Sequence, residues 1–569
     1  MKNLHTILYS IISALLLLSC SPTETTIEII YTTDTHGDIL PFGFITEKPT
    51  DHSMAHVATY LEHVRDTSDN VVLLDAGDFL QGTPAVYYYN FVDTTTTHVV
   101  ASIFNYLKYD AITVGNHDIE TGHDVYDRVV SQINAPVLAA NAIHKGSDEP
   151  YFKPYTIIKK GGKKIAVIGL ITPHIPFWLP EKYWEGMEFE DMVEAAQKWV
   201  DFVKKEENPD LMIGLFHAGY DYTYGEANAD TPKNENASML VANRVDGLDC
   251  ILIGHDHKYH VAEITNHKGN KCHLVDAGSS ANMVGHVTVR FNKENKKSIK
   301  SRLVEVDSYE PSKRYLEIFA NQKKTIRDYS TTIVGTLKED IYSNEALFGS
   351  SKLLNIVHRT MLKHTGAEIS FTAPLSLNAI IPKGDLSIGE MFNIYKYENT
   401  LNSILLSGDE IRKYLEYSYK GWICNPDECG HLIIINNYNR VKNGYFNFDT
   451  AMGIDYTVNP FKPYGERVTI TQMSDGTPFY PEKMYTVAIN SYRFNGGGGH
   501  LTQGLGLSKE EIGNRLVKSI MRDLRGLTLE DLQETEEIKI PTYNNWKFVP
   551  EDRVEPFIKK DSSILDNAK

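Results

Sequence analysis

Between Ile27 and about residue 300 the chain alternates two kinds of segment. The runs "IEIIYTT", "NVVLLDAGD", "DAITVGN", "KKIAVIGLIT", "PDLMIGLFH" and "LDCILIGH" are apolar, β-rich and of strand length. Between them lie amphipathic stretches of helical character such as "MAHVATYLEHVRD" and "FEDMVEAAQKWVDFVKKE". This alternation predicts an α/β unit over residues 27–308, a β-sandwich flanked by helices. The pattern then changes at "EPSKRYLEIFANQKKTIRDYS", where Leu316, Phe319 and Ile326 fall near one helical face amid many charges. That predicts a linker helix over 309–333. A second α/β unit, rich in Tyr, Phe, Asn and Gly, is expected over 334–550, and 551–569 read as a polar tail. At 569 residues the chain is too long for one ordinary core, and two domains of unequal size agree with that.

The start of the chain obeys different rules. "MKNLHTILYSIISALLLLSC" opens with a basic residue and continues in an apolar run from Ile7 to Leu18. The run is too short to span a hydrocarbon core of about 30 Å, but it fits a secretory signal over residues 1–19. "LLSC" resembles the lipobox of bacterial lipoproteins, which implies lipidation of Cys20, a tether over 20–26, and an exported protein held to a membrane through that anchor alone, periplasmic or at the cell surface. Cys250, Cys272, Cys424 and Cys429 remain, and in an exported protein "CNPDEC" either closes a small disulfide loop or carries free thiols.

Five of the strand-like runs share one property: each ends in groups able to bind a metal ion. "IIYTT" leads to Asp34 and His36, "VVLLDAG" to Asp78, "DAITVG" to Asn116 and His117, "MIGLF" to His217, and "CILIG" to His255 and His257. Any one of these reads equally well as a turn or a hydrogen-bonded histidine. Five in succession do not, because open α/β sheets gather ligands at the carboxyl ends of their strands. Asp34, His36, Asp78, Asn116, His217, His255 and His257 are too many donors for one ion with an open position, but suit two ions sharing a carboxylate. Mixed imidazole and carboxylate donors favour Zn, Mn, Fe or Co, and two such ions form a clamp for phosphate ester hydrolysis. The formal charge of −17 argues against a nucleic-acid polymer as partner, whereas a small anionic substrate needs local positive charge, which metal ions supply.

In this order, Asp-x-His, Gly-Asp, Gly-Asn-His-Asp, His and Gly-His-x-His resemble the calcineurin-like metallophosphoesterases. The resemblance implies one ion on Asp34, His36, Asp78 and His257, and another on Asp78, Asn116, His217 and His255. It also implies that His117 faces the substrate as transition-state stabiliser or general acid. Bacterial 5′-nucleotidases partner that histidine with an Asp three residues later; this chain has Glu120, able to polarise His117 or to sit at the surface.

Further on, "LSIGEMFNIYKYENTLNSILLSGDEIRKYLE", "YFNFDTAMGIDYTV", "INSYRFNGG" and "NNWKFVP" resemble the C-terminal domain of the 5′-nucleotidase family, which implies a base held between Phe446 and Tyr492. The "NGGGGH" run brings backbone close to a ligand or serves as a hinge. Family 5′-nucleotidases carry an Asn-Gly-Gly-Gly-x-Arg segment, but the corresponding "FTAPLSLNAIIPKG" has no arginine. The chain is thus more similar to the 2′,3′-cyclic-nucleotide 2′-phosphodiesterase/3′-nucleotidases. A 5′-nucleotidase (or other nucleotide hydrolase) and a non-catalytic nucleotide-binding lipoprotein are the alternatives, and no protein partner is implied.

Overall fold

A computed structural model describes residues 24–567 apart from 378, 437–439, 535–537, 539 and 541–542. The signal segment and Cys20 lie outside the described residues. The first unit is a sandwich of two six-stranded sheets. One runs, in spatial order, Lys297–Glu305, Met283–Phe291, Thr25–Thr32, Val71–Asp75, Ala111–Thr113 and Val137–Leu138. The other runs Tyr259–Thr265, Lys271–Ala277, Cys250–Ile253, Leu211–His217, Lys163–Ile171 and Tyr155–Lys160. The last four strands of the first sheet are parallel, as are the middle four of the second. Val71–Asp75 and Leu211–His217 are buried along their whole length, as parallel strands covered on both faces must be.

Ile29, Tyr31, Val72 and Leu74 meet Val167, Ile213, Leu215 and Leu252 between the sheets. Helices Met54–Thr67 and Val99–Leu107 cover the outer face of the first sheet, and Met192–Glu207 and Ser238–Arg244 cover that of the second. Side-chain caps fix where two of them start: Ser53 accepts from the Ala55 amide, and Asp191 from those of Val193 and Glu194. The sandwich begins earlier than the expected tether allows. Thr25 and Thr26 already pair with Phe291 and Arg290.

Two further expectations need correction. The linker is not one helix but two, Lys313–Ile318 and Ala320–Ser330, and Tyr315, Phe319 and Ile326 are buried in the first domain's core. It is therefore packed down as part of that domain. The segment after Pro550 is no loose tail but a helix, Glu551–Asn567. Val554, Phe557, Ile558 and Leu565 form an apolar stripe against the second domain, and buried Asp561 accepts from the amides of Leu432 (2.7 Å) and Ile433 (2.9 Å). Charged residues around that stripe disguise it in the sequence.

The second unit centres on a five-stranded sheet in the order Thr450–Met452, Ile369–Thr372, Met484–Asn490, Thr400–Ser407 and Leu516–Asp523. A disulfide joins Cys424 to Cys429, while Cys250 and Cys272 are buried free thiols. The two units meet through specific contacts. The Arg525 guanidinium lies 3.9 Å from the Phe392 ring and 4.5 Å from that of Tyr87 in the first unit. The Asn495 amide donates to the Trp178 carbonyl (3.0 Å), and Lys509 to that of Pro176 (3.1 Å).

Three buried histidines outside the strand-end clusters make stability depend on pH. Burial pushes His98, His358 and His500 down to about 3, so all three are neutral in the fold. The unfolded chain takes up these protons near pH 6.5. Their contribution is therefore complete above pH 6.5 and falls as the pH drops toward 3, by up to about 1.4 kcal/mol per pH unit for each ring. Urea midpoints measured from pH 7 to 4.5 should fall, and His358→Gln should flatten the slope. Identical slopes would contradict the assignment.

Candidate dimetal site

The five clusters converge at the carboxyl ends of the parallel strands. Asp34, His36, Asp78 and His257 place ligand atoms within 4.8 Å of one another. Beside them, His217 Nε2 lies 3.1 Å from both Asp78 Oδ2 and Asn116 Oδ1, and His255 Nδ1 lies 2.8 Å from Asn116 Oδ1. Asp78 sits where the two groups meet.

Backbone geometry brings them together at a cost. Asp34, His36, Asp78, His255 and His257 all have positive φ, between 46° and 92°. The left-handed region costs a residue with a Cβ roughly 1–2 kcal/mol, and such outliers cluster at functional sites. Glycines admit the carboxylates: a Cβ on Gly115 would lie 2.0 Å from Asp78 Oδ1, and one on Gly254 2.8 Å from Asp34 Oδ2.

The donor set fits divalent cations. His217 Nδ1 donates to the Ala76 carbonyl (2.7 Å), and His36 Nδ1 to that of Gln81 (3.1 Å). A carbonyl can only accept, so in each neutral ring Nε2 keeps its lone pair. For His217 that lone pair points at another acceptor, Asp78 Oδ2, and for His36 it faces His257 Nε2 at 3.0 Å. Buried Asp78 Oδ2 has no hydrogen-bond donor. His255 repeats the arrangement, its Nε2 facing Glu235 Oε1 at 3.2 Å. Fixing one imidazole nitrogen to orient the other is how proteins prepare metal ligands. Without cations the cluster draws protons instead. Burial opposes charge on His217, yet Asp78 and Asp34 outweigh it and lift the ring to about 9, whereas burial holds His36 down to about 4. A divalent ion supplies the same positive charge and competes with that proton.

His117 stands beside this cluster. Its amide donates to Asp78 Oδ1 (2.8 Å), and its Nδ1 lies 2.5 Å from Glu120 Oε2. Glu120 thus faces His117 rather than solvent. Burial opposes charge on His117, but Glu120 and Asp78 raise it to about 10, which keeps a proton on the ring. From the second domain, Tyr397 lies parallel to the His117 ring with centroids 6.5 Å apart. Phe446 and Tyr492 also belong to the second domain, both half-buried, on the segments around Tyr445–Asn447 and Ser491–Phe494.

Two supporting residues are not evident from the sequence. Asp118 accepts from four amides, those of Asp78, Phe79, Leu80 and Gly115, at 2.7–2.9 Å, and so shapes the loop carrying Asp78. Its position in "GNHD" is the only signal. Glu235 joins His255 to His174, whose Nδ1 is 3.5 Å from Oε2. Burial alone would raise Glu235, but its hydrogen bonds to His174 and His255 hold it down to about 2.

Comparison with known proteins places this geometry. The calcineurin-like phosphoesterase family matches residues 27–259, and the 5′-nucleotidase C-terminal domain matches 333–503. The chain is a calcineurin-like phosphoesterase with a 5′-nucleotidase C-terminal domain. This metal-dependent phosphoesterase is 27% identical to the trifunctional nucleotide phosphoesterase protein YfkN of Bacillus subtilis, over 92% of this chain but only 39% of that longer protein. It is 26% identical to a 2′,3′-cyclic-nucleotide 2′-phosphodiesterase/3′-nucleotidase of Haemophilus influenzae, over 83% of this chain and 80% of that one. A candidate 5′-nucleotidase of Staphylococcus aureus, solved with α-ketoglutarate, shares the fold: TM-score 0.77 and 21% identity, over 92% of this chain and 100% of that one. Members of the phosphoesterase family use two divalent metals, and Asp34, His36, Asp78 and His257 of this phosphoesterase form a group able to hold one.

The left-handed backbone gives a test of this phosphoesterase that is independent of turnover. In EDTA, His257→Gly should be more stable than His257→Ala by about 1 kcal/mol in urea titration, because glycine relieves the strain. An alanine variant of equal or greater stability would contradict it.

Proposed function

We propose that this phosphoesterase hydrolyses nucleotide phosphate esters, opening 2′,3′-cyclic nucleotides at the 2′ bond and then releasing phosphate from the 3′-monoester. What carries the finer part of this reading is the segment 371–384, which lacks the arginine that contacts the nucleotide in the 5′-nucleotidases. Two divalent ions on the seven strand-end ligands would activate water and neutralise charge on the phosphoryl group.

The chain's own residues have separable tasks. His117, kept protonated beside Glu120, gives its proton to the departing ribose oxygen. Asp78, through the His117 amide, ties the acid to the ligand cluster. Phe446 and Tyr492 hold the base by stacking, which tolerates different bases and contributes about 1–3 kcal/mol per contact. We also propose that Cys20 carries a lipid that anchors the exported enzyme.

The test uses the chain lacking residues 1–20, loaded with Mn or Zn, and compares 2′,3′-cAMP, 3′-AMP and 5′-AMP. The cyclic and 3′ substrates should turn over well above 5′-AMP. Tyr492→Ala should raise KM for 3′-AMP about tenfold, while Glu120→Gln should lower kcat about 10- to 100-fold. Preference for 5′-AMP would establish the 5′-nucleotidase alternative, and no turnover with either metal would leave a binding protein.

A further inference from the structure

Arg493 comes directly after Tyr492 in the chain and is 2% exposed. All five of its N–H bonds are used. Nε and Nη2 form a fork on Asp449 (2.8 and 2.9 Å), itself buried and accepting from the Tyr414 hydroxyl at 2.5 Å. The remaining donors go to Asn447 Oδ1 (2.9 Å), the Gly497 carbonyl (3.1 Å) and the Phe446 carbonyl (2.7 Å). One guanidinium therefore joins the segment bearing Phe446 to the one bearing Tyr492, and its central carbon lies 5.2 Å from the Tyr492 ring centroid.

The glycine run closes the arrangement. A Cβ on Gly497 would lie 2.4 Å from the Tyr492 ring, and one on Gly498, whose φ is +70°, would lie 2.5 Å from Arg493 Nη1 and 2.3 Å from Asn447 Oδ1. The run permits close approach to the ring and the guanidinium. A buried ion pair is weak evidence of stabilisation, since desolvation offsets the attraction. Here, however, three of five donors leave the carboxylate for the two ring-bearing segments. Lysine cannot reproduce that fork.

We infer that Arg493 is a positioning residue that fixes Phe446 and Tyr492 relative to one another and so sets the preference for esters that carry a nucleobase. The inference rests on the proposed nucleotide hydrolysis. Its test measures kcat and KM for 3′-AMP and for p-nitrophenyl phosphate, which has no base, together with adenosine affinity in metal-free protein. Arg493→Lys should raise KM for 3′-AMP and the adenosine Kd about tenfold, and lower the preference for 3′-AMP over p-nitrophenyl phosphate by a similar factor. Asn447→Ala, losing one of the five bonds, should shift the same quantities by a smaller factor. In a chain already carrying Phe446→Ala and Tyr492→Ala, adding Arg493→Lys should change neither KM nor Kd further, because the residue acts through the rings.

An unchanged preference in Arg493→Lys, or a further loss in the ringless background, overturns the inference. If Arg493→Lys does not fold, Asn447→Ala decides it, and an unchanged adenosine Kd there overturns it. A parent chain with no preference for 3′-AMP over p-nitrophenyl phosphate and no affinity for adenosine fails earlier, at the nucleotide reading itself.

Discussion

The structure depends on holding together acceptor atoms that repel one another unless positive charge lies among them. Two carboxylates, an amide oxygen and imidazole lone pairs meet at the ends of parallel strands, where Asp34, Asp78, Asn116 and His217 are buried and His257 is exposed. Five of the seven side chains involved sit on left-handed backbone. At roughly 1–2 kcal/mol each, the loops alone would not keep that geometry. The surroundings impose it: strands buried along their whole length below, Asp118 collecting four amides at the side, and glycines where a Cβ would collide. Strain at the rim is balanced by burial between the sheets.

Contact with the second domain is continuous with that rim. Asn495 binds the Trp178 carbonyl, the Trp178 ring stacks at 5.5 Å on His255, and His255 is held by Glu235. A short chain of contacts thus runs from the segment next to Tyr492 to a candidate metal ligand. Tyr397 approaches His117 from the same domain. The proposed catalytic and base-binding groups come from separate units, and these polar and aromatic contacts join the two, with Arg525 at the other side of the junction.

How much of this is legible in the sequence depends on how local each cause is. The strand-end donors are legible because a buried strand leading into Asp, Asn or His has few structural excuses, and the order of five such events carries more than any one. The α/β architecture is legible from alternating segment lengths. Asp118, Glu235 and Arg493 are not, because each acts on partners distant in sequence: amides 38–40 residues away, a histidine 20 away, and a carboxylate 44 away. The final helix escapes notice because the four apolar positions of its stripe are diluted by charge. The linker reads as freer than it is because burial of Tyr315 against the first domain depends on tertiary contacts.

The most direct measurement of the central claim is anomalous scattering from crystals of the full mature chain grown with Mn, with total metal determined in parallel. The account predicts two ions per chain, one among Asp34, His36, Asp78 and His257, the other among Asp78, Asn116, His217 and His255, with Asp78 touching both. A single ion, or ions held elsewhere while these acceptors remain bare, would contradict it.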